Sequence, residues 1–310
     1  MDKISEVINN RRPFAVFPMV CADHGALLMN MTLTEVAEDG ERIARVLRYC
    51  YDLYDYDMVL VFTDPYVEAQ ALGCPVTLDP YPTLRGPASN HSVDRTEQII
   101  KAADILKSEI PVPVFVSIKG PFTLAAFLGG VEHYLKATMK SEAEATHLLQ
   151  EALHHQLAYL RKLLSLSVDI MIGDPLASSS VISPGAFCKY ALPGLQTMVD
   201  MAKAKNVRVG VHICGEVAPI LKHLDDLSAD ILSIEDIDVE TETIRMGGVG
   251  TDTILNGDVE RIRSEVKNAL GNRPIILSTA CDVPPQTDPA SIKTMVSTAR
   301  ENDPDHGVQE

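Results

Sequence analysis

Eight short apolar runs recur along this chain, separated by longer amphipathic stretches, and that repetition limits the folds open to it. The runs are residues 14–20, 58–63, 112–118, 169–173, 208–212, 231–234, 253–256 and 275–279. They are rich in Val, Ile, Leu or Phe, as expected of strands buried on both faces of a parallel sheet. The stretches 34–53, 95–108, 141–165, 184–205, 216–227, 259–270 and 289–300 carry helical periodicity. Thr34 ahead of Glu35, and Ser183 ahead of Pro184, supply helix-start chemistry. A strand followed by a helix about eight times over predicts a (β/α)8 TIM barrel rather than an open doubly wound sheet. No G-x-G-x-x-G follows the first run, so the marker of a dinucleotide fold is missing. Gly247-Gly248-Val249-Gly250 precedes a run where a phosphate cradle would follow one, and it reads as a turn.

One barrel of this size accommodates all 310 residues, so the expected organisation is one (β/α)8 domain over 1–310. Two departures from the alternation are expected. Residues 68–90, rich in Pro, Gly and Tyr, read as an excursion over the barrel mouth with a small hairpin, and 122–133 as a short extra helix. The polar end from about residue 301 is expected to fray. A net charge of -16 repels phosphate backbones and anionic lipid, which disfavours nucleic-acid and membrane-surface partners. No run reaches the roughly 18–20 apolar residues of a membrane helix, and no targeting segment is visible, so the expected location is the cytoplasm. There the six cysteines are packing residues, metal ligands or reactive thiols rather than a disulfide framework. Cys50 and Cys188, inside helical patterns, read as packing.

In parallel barrels the chemistry gathers at the carboxyl ends of the strands. Those positions hold Cys21, Asp23 and His24; Asp64 and Glu68; Lys119 and Gly120; Asp174; His212 and Cys214; Glu235 and Asp236; Asn256 and Asp258; and Cys281 and Asp282. His212 and Cys214 are two apart, so in an extended segment they point the same way. Cys281 follows the eighth run, three strands along the same rim. An imidazole and two thiolates suit zinc, and three protein ligands leave a fourth position for substrate. Such a site can activate a thiol as its thiolate or a water for hydrolysis. From spacing alone, a core histidine with two unrelated buried cysteines is an equal alternative.

The segment Gly120-Pro121-Phe122-Thr123-Leu124-Ala125 resembles the G-P-[FW]-T-L segment of the uroporphyrinogen decarboxylase superfamily. Residues 68–74, Gly173-Asp174-Pro175 with Ile182-Ser183-Pro184, and Leu255-Asn256-Gly257-Asp258-Val259 are similar to it too, so the likeness spans nearly the whole chain. It implies a (β/α)8 barrel. The decarboxylases carry an M-R-Q-A-G-R segment after the first strand to bind substrate carboxylates. Here residues 19–25 read Met-Val-Cys-Ala-Asp-His-Gly, without arginine.

The methylcobamide:coenzyme M methyltransferase branch has an H-x-C…C zinc motif, which His212, Cys214 and Cys281 match in order. That resemblance implies a zinc-dependent methyltransferase. The donor would be methylcobalamin on a separate corrinoid protein, and the acceptor a small thiol such as coenzyme M. Glu235 follows the strand next to that of His212, and a carboxylate can leave when a thiol arrives, so it is the candidate for an extra zinc ligand or gate, with a solvated rim acid as the alternative. Asp174 would orient His212 or hydrogen-bond to corrinoid or substrate. Asp23, His24 and Glu68 are candidates for lining the cofactor's side of the mouth, with local turn and capping roles as alternatives. His154 and His155 read as a solvated helix face. Rival readings are a porphyrinogen decarboxylase-like lyase, a corrinoid methyltransferase using tetrahydrofolate or a small methylated substrate, and a non-catalytic corrinoid-handling protein.

Overall fold

The computed structural model describes residues 1–90 and 92–303. Among them the strands are β1 (Phe14–Phe17), β2 (Val59–Val61), β3 (Val76–Thr77), β4 (Thr83–Leu84), β5 (Val114–Lys119), β6 (Asp169–Gly173), β7 (Val209–His212), β8 (Ile231–Ser233), β9 (Ile244–Val249) and β10 (Ile275–Thr279). Eight form one parallel sheet in the order β1-β10-β9-β8-β7-β6-β5-β2. Helices pack outside it in the nearly closed barrel that the alternation predicts. The strands are short and apolar on both faces because side chains fill the barrel on one side and meet the helices on the other. Val16, Val59, Val116, Ile172, Val211, Leu232, Met246 and Leu277 are all buried. β3 and β4 pair antiparallel as the hairpin expected within 68–90.

Asp57 joins the two ends of the strand order. Its N–H donates to Val16 O (2.8 Å), and its Oδ2 accepts from Val16 N (2.7 Å). Arg300 clamps the same carboxylate with two hydrogen bonds of 2.9 and 2.7 Å, and Lys3 approaches to 3.2 Å. The helix Lys3–Ile8 lies at this amino end of the barrel, with Ile4 and Val7 fully buried. Arg208, just ahead of β7, ties that helix down through Asp2 (2.6 Å) and Ser5 (2.8 Å), while holding Asp169 at the start of β6.

Several expectations need correction. Residues 253–256 are not a strand but part of the helix Thr251–Asn256. The strand in question is β9, and it contains the glycines read as a turn. A Cβ on Gly247 would stand 2.5 Å from Ile234 O, and one on Gly248 2.5 Å from Ala269 Cβ. Glycine is there for close packing, which erases the apolar signature of a strand. The stretch 34–53 is two helices, Leu33–Ala37 and Gly40–Tyr54, divided at the cap Asp39. The first begins not at Thr34 but at Thr32, in a capping box with Glu35. The expected extra helix is Pro121–Gly129, followed by Val131–Lys140. Ser183 does cap, but a π-helical turn, Phe187–Ala191, interrupts the stretch that follows. At the C-terminus, Asp303 is buried and ion-paired with Arg12, so 301–303 do not fray. The rest of that expectation, 304–310, lies outside the described residues.

Candidate metal centre and substrate cavity

His212 is the last residue of β7, and the chain stays extended beyond it. Ile213 N donates to Ser233 O (3.2 Å) on β8, and the Ile213 side chain turns into the core. His212 and Cys214 therefore project to the same side. Gly215 then turns the backbone at φ +77, where a Cβ would stand 2.7 Å from Ser180 Oγ. Cys281 comes two residues after β10. Thr279 sets its position: the hydroxyl accepts from Met19 N (3.1 Å) and donates to Cys281 O (2.6 Å).

These three side chains meet. His212 Nε2 lies 3.0 Å from Cys214 Sγ and 3.9 Å from Cys281 Sγ, and the two sulfurs are 3.8 Å apart. All three atoms fall within 4.8 Å of one another, a spread that one metal ion could bridge. On its other side, His212 Nδ1 lies 2.9 Å from Ser233 Oγ. A proton on Nδ1 donated to that hydroxyl leaves the Nε2 lone pair turned toward the sulfurs. The sulfurs are electrostatically unequal. The Cys281 thiol hydrogen bond lowers the Cys214 pKa, against the effect of burial. The contact with Cys214, and burial, raise the Cys281 pKa, and the Cys281 thiol donates to Asp282 Oδ1 (2.9 Å).

The cluster opens onto a cavity of about 150 Å3, walled by apolar Met19, Leu60, Phe62 and Met171 and holding one cationic side chain, Lys119. That volume is below the ~300–1,000 Å3 of drug-sized ligand pockets, so it suits a small molecule.

The remaining candidates are placed differently. Asp174 does not touch the His212 ring. Its carboxyl is fully buried, and Oδ1 accepts from Thr123 N (2.7 Å) at the start of the helix Pro121–Gly129. Only its main-chain N meets His212, donating to O (2.9 Å). Burial raises the Asp174 pKa to about 6. Glu235 is exposed and lies outside the three-residue cluster; its Oε1 accepts from Gly215 N (2.7 Å), bracing the turn after Cys214. His24 is not a mouth residue. It is 0% exposed, with Nε2 2.7 Å from Tyr54 Oη and Nδ1 3.1 Å from Pro285 O, because the helix Ala22–Leu28 turns it inward. Glu68, 4% exposed, accepts from Lys119 N (2.7 Å) and braces β5 from behind. Asp23 is half-buried and accepts from His24 N (2.8 Å), and its pKa is pushed to about 7 by burial and by Asp282. His155 is half-buried rather than solvated, and its Nε2 has no partner among the described residues. Ser233 was not among the sequence candidates; a hydroxyl ending the strand next to that of the candidate ligand His212 was the available signal.

The sequence profile of the uroporphyrinogen decarboxylase (URO-D) family matches residues 9–302. The chain belongs to that family. Its curated relatives include the methylcobamide:CoM methyltransferase MtaA of Methanosarcina barkeri, 28% identical, with 86% of each chain covered. The methylcobamide:CoM methyltransferase MtbA of Methanosarcina mazei is 26% identical, with 94% of each chain covered. A solved methyltransferase structure from Methanosarcina mazei superposes with a TM-score of 0.85 at 22% identity, covering 96% of this chain and 97% of the other. The URO-D fold so defined agrees with the observed barrel, and no helix among the described residues is long and apolar enough to cross a membrane.

Proposed function

We propose that this chain is a zinc-dependent methyltransferase that moves a methyl group from a corrinoid, carried as methylcobalamin on a corrinoid protein, to a small thiol. The observation that carries the reading is the convergence of His212 Nε2, Cys214 Sγ and Cys281 Sγ within 4.8 Å at the mouth of a small cavity. The donor set fits zinc: one imidazole nitrogen and two sulfurs, with the ring held from behind by Ser233. The methylcobamide:CoM methyltransferase relatives support the corrinoid donor and the thiol acceptor.

Zinc bound by these three ligands would hold an acceptor thiol as its thiolate near neutral pH. The thiolate sulfur would then attack the methyl carbon, forming the S–CH3 bond as the Co–CH3 bond breaks and its electron pair stays on the corrinoid cobalt. The thiol proton would already have gone to solvent. The chain's own residues prepare this. Ser233 orients His212, Glu235 braces the turn that carries Cys214, and the apolar walls exclude water that would compete for the open position. The decarboxylase reading has little support at this site: residues 19–25 contain no arginine, and Lys119 is the sole cation in the cavity lining.

Elemental analysis tests the reading. About one zinc per chain is expected in wild type, falling sharply in His212→Ala, Cys214→Ser and Cys281→Ser, with thiol-dependent demethylation of methylcobalamin lost in parallel. A wild-type chain unable to take up zinc would remove the basis for thiol activation.

A further inference from the structure

β2 and β5 stay paired only as far as Val61 and Val116, while β5 runs on to Lys119 beside β6. The carboxyl end of β5 therefore borders a notch where the neighbouring strand has turned away, and main-chain groups facing that notch need other partners. Lys119 finds two. Its N–H donates to Glu68 Oε1 (2.7 Å), and its O accepts from Gln156 Nε2 (2.5 Å). Glu68 comes from the helix Val67–Ala71 and Gln156 from the helix Glu142–Ser165, so side chains of two helices stand in for a strand.

The rest of the notch is a cavity of about 10 Å3, with Val61, Thr63, Glu68 and Tyr159 on its walls. Two polar atoms of those walls are left over. Tyr159 is 4% exposed, and its Oη has no hydrogen-bond partner among the described residues. Glu68 is equally buried, and the hydrogen bonds to its carboxylate from Lys119 and Gln156 both go to Oε1, leaving Oε2 without one among the described residues. Asp64, the other acid of the lining, is already held by Arg95 through both oxygens (2.6 and 3.2 Å). A buried hydroxyl and a buried carboxylate oxygen each cost free energy when unpaired.

We propose that this notch binds one water molecule, which accepts from Tyr159 Oη and donates to Glu68 Oε2, completing the edge of β5 where β2 leaves it. The cavity has the volume that a single water needs. A water both accepts and donates. A metal cation cannot accept the hydroxyl proton, and an anion would face the Glu68 carboxylate. The site lies in the barrel wall, outside the cavity of the metal cluster, and the assignment is independent of the methyl-transfer reading.

A high-resolution crystal structure of the wild-type protein tests it. One density peak is expected within hydrogen-bond distance of both Tyr159 Oη and Glu68 Oε2. Tyr159→Phe keeps the ring and removes the donor. The peak is expected to vanish in that variant, and oxygen-17 relaxation dispersion in solution to count one long-lived internal water fewer. Should the variant not fold, the wild-type map decides alone. An empty wild-type notch, a peak with the short multi-oxygen coordination of a metal ion, or a peak and water count unchanged by Tyr159→Phe would overturn the assignment.

Discussion

Gly120 and Asp174 are fitted to each other: a Cβ on Gly120 would stand 2.2 Å from Asp174 Cγ. The buried carboxyl occupies the space a side chain would need and binds the start of the next helix at Thr123, whose hydroxyl accepts from Leu176 N (3.1 Å). Gly120→Ala is expected to lose about 1–3 kcal/mol through overpacking. Combining it with Asp174→Ala should cost less than the sum of the single changes, because the clash goes with the carboxyl. Urea denaturation of the three variants checks this, and strict additivity would contradict the fit.

Ser233→Ala removes the hydroxyl facing His212 Nδ1 and leaves the three ligand atoms in place. Metal affinity should fall about 10–100-fold, as for other lost partners of ligating histidines. Chelator competition measures it; an unchanged affinity would mean that the ring is oriented by something else.

Asp57→Ala strips partners from Val16 N and from the Arg300 guanidinium, and weakens the junction of β1 with β2. A loss of about 3–5 kcal/mol is expected, as when one partner of a buried ion pair is removed. Because the change lies at the amino end of the strands, thiol affinity of the folded protein should remain at the wild-type level.

His24 is held neutral: burial lowers its pKa below the usual 6.5. Its protonation therefore favours the unfolded chain, so the stability it supports is complete above pH 6.5 and is lost as pH falls through the folded pKa. Urea midpoints at about pH 7.5 and 5 should converge more for His24→Gln than for wild type. Equal acid sensitivity would place its origin in other groups.

Much of this architecture is legible in the residue order. Seven of the barrel strands follow from apolar runs; the period of an extended chain and the address of barrel active sites make His212, Cys214 and Cys281 candidates for one cluster, and the family resemblance chooses that reading over unrelated core residues. β9 is obscured because close packing against Ile234 and Ala269 demands glycine. The relation of Lys119 to His212, and of His212 to Ser233, depends on register between strands far apart in sequence, which local pattern does not encode. His24 and Asp174 mislead for a related reason. Position along the chain places both near the rim, but the helix Ala22–Leu28 turns one inward and the helix Pro121–Gly129 draws the other to its first turn.

The charged latch around Asp57, Arg208 and Arg300 secures the N-terminal helix to the face opposite the cavity. A chain anchored to a solid support through Met1 would consequently present its mouth outward. If the proposed function holds, a corrinoid protein in free solution could reach the rim as readily as it reaches untethered enzyme, so turnover on a bead should match turnover in a cuvette.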